Sequence, residues 1–257
     1  MTDHLELSDH VSVIAGGAGL IGSEVSRGLA ECGANVVIAD PSENGSDLAD
    51  ELGNHVHHVP TDVTDPESVD SLFEGVISEY GRIDSLVNTA YPRNEQYGVK
   101  FEEVTFEDWN ENLSLHLGSY FYTSKCAAIQ MQSQSEGGSI VNFGSIYGIE
   151  APDFTIYDGT TMTSPVEYSA IKAGIINFSR YLASYFGPNG VRANTVSPGG
   201  VFNNQNDNFV KRYEKQTPIR RMATPEDLVG PVLFLVSDAS RYVTGHNLVV
   251  DGGWTIS

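Results

Sequence analysis

The chain has 257 residues and a formal charge of −20, with 34 Asp and Glu against 14 Lys and Arg. That length suits one α/β domain over 1–257, and the acidity argues against nucleic acid or an anionic membrane surface as partner. No apolar run approaches the roughly 18 residues of a membrane span. The polar start MTDHLELSDH does not read as a signal peptide, and Cys32 and Cys126 read as free thiols, which together point to a reducing cytoplasm. An acidic, lysine-poor chain also fits a high-salt, halophilic cytoplasm, where screening tolerates self-repulsion.

Short β-branched runs alternate with helical patterns. HVSVIAG is the first expected strand, followed by a helix in LIGSEVSRGLAECG, with Ile21, Val25 and Leu29 at helical spacing and Gly33 as its stop. NVVIAD and HVHHVPTDV are the next strands, then a helix in DPESVDSLFEGVISEYG. IDSLVNTA is the fourth strand, and a long helical region covers about 105–133. GSIVNFGS, VRANTVSPGG and HNLVVDGG complete seven strands, with helices before the last two, one reaching about Phe186 and one in PEDLVGPVLFLVSDAS. This rhythm predicts a single-domain, doubly wound Rossmann fold of the α/β class, a seven-stranded parallel sheet with helices on both faces. Three irregular stretches, 91–103, 147–167 and 199–209, follow strands and should gather over the carboxyl edge of the sheet.

Between the first strand and helix, Gly16, Gly19 and Gly22 stand at G-x-x-G-x-x-G spacing, with Leu20 and Ile21 between the last two. Glycines there let the backbone approach a pyrophosphate, which the helix N-terminus holds through its N–H groups. Asp40 ends the second strand, placed to accept hydrogen bonds from ribose hydroxyls. It would repel a 2′-phosphate, so the expected cofactor is NAD. The stretch DPSENGSDLADE imitates a calcium loop, but such a loop joins two helices and this one leaves a strand. The histidines of HVHH read as alternating surface positions on a strand, and no metal is expected.

Tyr168 and Lys172 are four residues apart on an expected helix, hence on one face. A neighbouring ammonium favours the phenolate and makes a tyrosine usable as an acid or base near neutral pH. Together with Ser145 on the fifth strand and the N-terminal glycine turn, this pattern resembles the short-chain dehydrogenase/reductase family over essentially the whole chain. The resemblance implies further cofactor contacts: Asp62 and Val63 of TDV at the adenine, Asn88 and Ala90 of VNTA beside the central sheet, and Pro198, Gly199 and Val201 of SPGGV at the nicotinamide. It implies a fourth catalytic residue at His116, with Asn112, one turn earlier, as the alternative, and a homotetramer packed through the helices carrying His116 and Tyr168. Departures include Ala15 in place of a threonine, Leu20 in place of the middle glycine, Tyr91 in place of a glycine, and 22 residues between Ser145 and Tyr168 where the family has fewer. The long insertion, with NTAYPRN and the helical histidine, is similar to a subgroup of flagellin-modification or surface-glycan sugar oxidoreductases.

The implied reaction moves hydride between nicotinamide and a secondary alcohol or ketone. Tyr168 is acid and base, Ser145 holds the reacting oxygen, and Lys172 lowers the phenol pKa and binds the ribose. Loop residues Tyr91, Arg93 and Tyr157, with Ser145 and Tyr168, are the expected substrate contacts. Arg93, Lys211, Arg212, Arg220 and Arg221 are candidate phosphate ligands. The small-molecule substrate expected from these loops is a sugar, sugar phosphate or nucleotide sugar. The alternatives are an apolar alcohol or acyl-thioester, a dehydratase or epimerase of the family's extended branch, and a non-catalytic NAD-binding regulator.

Overall fold

The computed structural model describes residues 5–257; residues 1–4, part of the polar start, lie outside the described residues. Seven strands form one parallel sheet in the order β3-β2-β1-β4-β5-β6-β7. They are β1 (Val11–Ala15), β2 (Asn35–Ala39), β3 (Val56–Val59), β4 (Ser85–Asn88), β5 (Gly138–Phe143), β6 (Val191–Pro198) and β7 (Asn247–Val250). Helices α1 (Leu20–Glu31), α2 (Asn44–Leu52), α3 (Pro66–Tyr80), α4 (Phe106–Asn112), α5 (Gly118–Ser133), α6 (Val166–Phe186), α7 (Asp207–Gln216) and α8 (Val229–Val236) connect them.

Strand side chains alternate between the two faces, as the period-two geometry requires. Ile14, Val36, Ile38, Val87 and Val141 pack with Val25 and Leu29 of α1, Leu48 of α2 and Val232 and Leu235 of α8. Val11, Val13, Val37, Leu86 and Ile140 pack with Val69 and Leu72 of α3, Ala127 of α5 and Leu182 of α6. Both faces are therefore covered, which is why the strands read as continuous apolar runs. Local signals set the boundaries: the Asp65 carboxylate caps α3 by accepting from the Glu67 N–H at 3.0 Å, Pro66 starts the helix, and Gly81 at φ 74° ends it.

A buried polar network ties β4 and β5 to α5 and α6. Asn88 donates to Asn142 at 2.8 Å and accepts from Thr123 at 2.9 Å, and Asn142 donates to Ser179 at 3.0 Å. The sheet order reverses between β1 and β4, the switch point where such folds open a crevice beyond the strand ends.

Two elements depart from the sequence reading. Residues 44–52, the calcium-loop imitation, form α2, and residues 207–216, partly expected as loop, form α7. The polar composition of α7 hides one buried stripe, Phe209 and Tyr213, four residues apart.

Candidate active site

A cavity of about 650 Å³ lies over the switch point, lined by the ends of β1, β2, β4, β5 and β6 and by the long loops. At one end is the glycine turn. Gly16 has φ 78°, and a Cβ there would meet the Ala90 backbone at 2.7 Å. A Cβ on Gly22 would lie 2.1 Å from the Gly16 carbonyl oxygen, so glycine is what lets α1 start this close to the turn. The α1 N-terminus has no side-chain cap and no acidic residue in its first turn, leaving its N–H groups for an anion. Gly16, Gly19, Leu20, Ile21 and Gly22 all line the cavity, as does Asp40. The buried Asp40 carboxylate accepts from the backbone N–H of Ala18 at 3.1 Å and of Ser42 at 2.9 Å, which fixes its direction. His58, next door, is held between the Asp40 carbonyl (2.8 Å) and Ser46 (2.9 Å).

The other end holds the candidate acid–base residues. Lys172 is buried; its Nζ donates to the Phe143 carbonyl at 2.8 Å and lies 3.3 Å from His116 Nε2. Burial pushes the Lys172 amine down to about 7. His116 sits on a π-helical turn, Leu113–Leu117, between α4 and α5, the kind of bulge that re-aims a side chain within a helix. Desolvation, with Lys172 and Arg93 nearby, holds the imidazole well below its ordinary value, hence neutral. With Nε2 facing the ammonium, the proton belongs on Nδ1; that nitrogen is buried without a partner among the described residues.

Asn112, the alternative fourth residue, is directed elsewhere. Its Oδ1 accepts from the Asn94 N–H at 3.0 Å, and its Nδ2 donates to Asn94 Oδ1 at 3.1 Å and Glu167 at 3.4 Å. It secures the loop after β4, and His116 alone of the two reaches Lys172.

The Tyr168 ring centre lies 5.5 Å from Lys172 Nζ. Burial pushes the phenol above its ordinary value, with Ser145 hydrogen bonding in opposition. This runs against the expectation that Lys172 lowers the phenol pKa: in this structure burial is the largest influence, Ser145 is what opposes it, and burial acts on the lysine too. Ser145 Oγ accepts from the Tyr147 N–H at 3.1 Å, which leaves its hydroxyl proton free to point into the cavity.

Tyr91 stands edge-on to both partners, its ring 5.0 Å from His116 and 5.9 Å from Tyr168, so the bulk that replaces a small residue walls the acid–base group. Arg93 lies over the outer face of Tyr91, 4.7 Å from the ring centre. The insertion after Ser145 forms the far wall. Its Ile156 is fully buried among Phe209, Tyr213, Met222 and Trp254, and the Tyr147 and Tyr157 hydroxyls meet at 3.2 Å over the cavity.

Not every expected residue lines this cavity. Ala90, Pro198, Gly199 and Val201 do; Asn88 is buried in the sheet network, and Asp62 and Val63 lie outside the lining, Asp62 accepting from Thr64. Lys211, Arg212, Arg220 and Arg221 are not in the lining either. Arg212 donates to the Asp158 carbonyl, Arg220 to the Lys215 carbonyl, and Arg221 pairs with Asp227. Tyr120 was missed: it lines the cavity with its ring 5.4 Å from His116, and the signal was its place four residues after His116. Met162, Phe209 and Met222 were also missed, because only the folding of α7 against the insertion brings them to the wall.

Residues 16–255 match a family model described as enoyl-(acyl carrier protein) reductase, a short-chain dehydrogenase/reductase model. The chain is a short-chain dehydrogenase/reductase. Within this family it is 34% identical over 254 residues to the post-translational flagellin modification protein A of Campylobacter coli, covering 96% of this chain and 99% of that protein. It is 35% identical to a 7alpha-hydroxysteroid dehydrogenase of Bacteroides fragilis, covering 96% and 94%. A short-chain dehydrogenase from Leptospira borgpetersenii with bound NAD+ superposes with a TM-score of 0.90 at 37% identity, covering 100% of this chain and 96% of that one. A gluconate 5-dehydrogenase from Burkholderia cenocepacia in complex with NADP and tartrate superposes with a TM-score of 0.88 at 26% identity, covering 99% and 98%. This family membership makes the chain an oxidoreductase.

Proposed function

We propose that this oxidoreductase uses NAD to interconvert a secondary alcohol and a ketone on a sugar, sugar phosphate or nucleotide sugar. The observation that carries the reading is the convergence of Ser145, Tyr168 and Lys172 on one cavity that also contains an uncapped helix N-terminus and Asp40. The glycine turn and α1 amides fit a pyrophosphate, and Asp40 fits a ribose diol and would repel a 2′-phosphate. Asp62, Val63, Ala90, Pro198, Gly199 and Val201 complete the proposed contacts.

When bound, the nicotinamide supplies the carbon that accepts or gives the hydride. In the direction of oxidation, Ser145 donates to the substrate oxygen and Tyr168, as the phenolate, takes the hydroxyl proton. Lys172 has three hydrogens, of which the Phe143 carbonyl and His116 occupy two, leaving one to face the cavity and the ribose. With its pKa at about 7, Lys172 can give up the cavity-facing proton and take one back as the Tyr168 phenol changes protonation state, and neutral His116 holds the amine in place.

The substrate class rests on the hydroxyl and amide residues that line the cavity, among them Tyr147, Tyr157, Thr163, Asn203 and Gln205. Such groups suit a polyhydroxylated molecule, and likeness to the flagellin modification protein supports the same class. A second reading, an apolar alcohol such as a steroid, is favoured by Met162, Phe209 and Met222 in the wall and by likeness to the hydroxysteroid dehydrogenase. We also infer a homo-oligomer, a tetramer, through α5 and α6, which expose Phe121, Ile129, Tyr181 and Tyr185; light scattering tests it. Absorbance of NADH and NADPH against sugars, sugar phosphates, nucleotide sugars and steroid alcohols tests the function. NAD-linked turnover confined to the sugar compounds supports it, and turnover of steroids alone replaces it with the second reading.

A further inference from the structure

The chain carries more than twice as many acids as bases, yet its cavity reverses that balance at the catalytic end. Of the described side chains lining the cavity, Asp40 is the sole carboxylate, and it lies beside the glycine turn. The catalytic end holds two cations, Lys172 and Arg93.

Their surroundings differ. Lys172 is buried and committed to Phe143 and His116. Arg93 is exposed at the mouth, its guanidinium carbon over the Tyr91 ring at 4.7 Å in a cation–π contact, and it makes no hydrogen bond or ion pair with any described residue. The nearby loop residues leave it so: Asn94 takes up Asp108 and Glu111 at 2.9 and 2.8 Å. Most other arginines of the chain have partners. Arg27, Arg82 and Arg221 pair with carboxylates, and Arg192, Arg212 and Arg220 donate to backbone carbonyls. A guanidinium steadied by an aromatic ring, with its five donors unspent, is shaped for a bidentate anion.

We propose that Arg93 is a specificity-determining residue that binds an anionic substituent of the substrate, a carboxylate or a phosphate group, several bonds from the reacting carbon. Tyr91 links this site to the chemistry, because the ring that carries the guanidinium also stands edge-on to Tyr168. The anion fixes the far end of the substrate while Ser145 and Tyr168 hold the reacting oxygen. The proposal rests on the sugar reading above and narrows it to acidic or phosphorylated members.

The test is a set of matched probes, D-glucose, D-gluconate, D-glucuronate and D-glucose 6-phosphate with their C-epimers, assayed with NAD for wild type, Arg93→Gln and Arg93→Lys. A hydrogen-bonded contact to a charged group is worth about ten- to a hundredfold. The wild type is expected to prefer the charged member of a pair by that factor in kcat/KM. Arg93→Gln should lose most of the preference through KM, and Arg93→Lys should keep part of it. Preference for the uronate or gluconate identifies the anion as a carboxylate, and preference for the 6-phosphate as a phosphate. Equal turnover of charged and neutral sugars, or a preference that survives in Arg93→Gln, overturns the proposal while leaving the sugar reading intact. No sugar turnover alongside steroid turnover overturns both.

Discussion

His116 Nε2 lies 3.3 Å from Lys172 Nζ, so a neutral imidazole from a π-helical turn occupies one of the three hydrogens of the lysine. The contact joins the π-helical turn before α5 to α6 inside the site. Replacing His116 with Ala opens space beside the lysine and eases its desolvation. His116→Ala should therefore move the pH inflection of kcat/KM above about 7 and lower kcat by about ten- to a hundredfold. His116→Leu keeps the site dry and should lower kcat without moving the inflection. A pH–rate profile of both variants checks this.

Tyr168→Phe removes the hydroxyl proposed to transfer the proton and little else. Turnover should fall by about 10²- to 10⁴-fold, with NADH binding, followed by fluorescence, retained.

Asp40→Ser removes the charge proposed to oppose a 2′-phosphate while keeping a group able to accept from the Ala18 or Ser42 amide. The ratio of kcat/KM for NADP over NAD should rise by about tenfold or more. Initial rates with both cofactors measure it.

The buried Lys172 also makes stability depend on pH. Its pKa is lowered from 10.5 to about 7 by burial, so between those values the unfolded chain binds a proton that the folded chain does not. Stability from this group therefore rises with pH across that window, and the full cost of burial is present below about 7. Lys172→Met should stabilise the fold by a few kcal/mol below that pH, offset by about 1 kcal/mol for the hydrogen bond lost by Phe143. The advantage should shrink towards pH 10. Thermal melts of both proteins at several pH values read the difference directly.

The insertion wall depends on Ile156, which is fully buried against α7. Ile156→Ala should cost about 2–5 kcal/mol and loosen the wall that carries Tyr157, raising KM for the substrate severalfold with a smaller change for NAD. Steady-state kinetics with each substrate varied in turn distinguishes the two.

The backbone of this fold was legible in the sequence because its signals are local. Seven apolar runs, each followed by a turn and most by a helical period, imply a doubly wound sheet; Gly16 and Asp40 stand at strand ends and Gly22 in the first turn of α1, where the chain itself dictates their setting. The i, i+4 spacing of Tyr168 and Lys172 likewise survives in α6. What the sequence left open was decided by contacts between distant segments. Whether Asn112 or His116 reaches Lys172 depends on a π-helical turn and on Asn94 claiming Asn112 from another loop. Whether Lys172 lowers the Tyr168 pKa depends on burial, which no spacing encodes. Of the five basic residues open as anion ligands, packing tied Arg212, Arg220 and Arg221 to other groups, kept Lys211 out of the cavity, and left Arg93 at its mouth. Periodicity fixes which face a residue takes on its own element; only the assembled fold fixes what that face meets and how much water remains there.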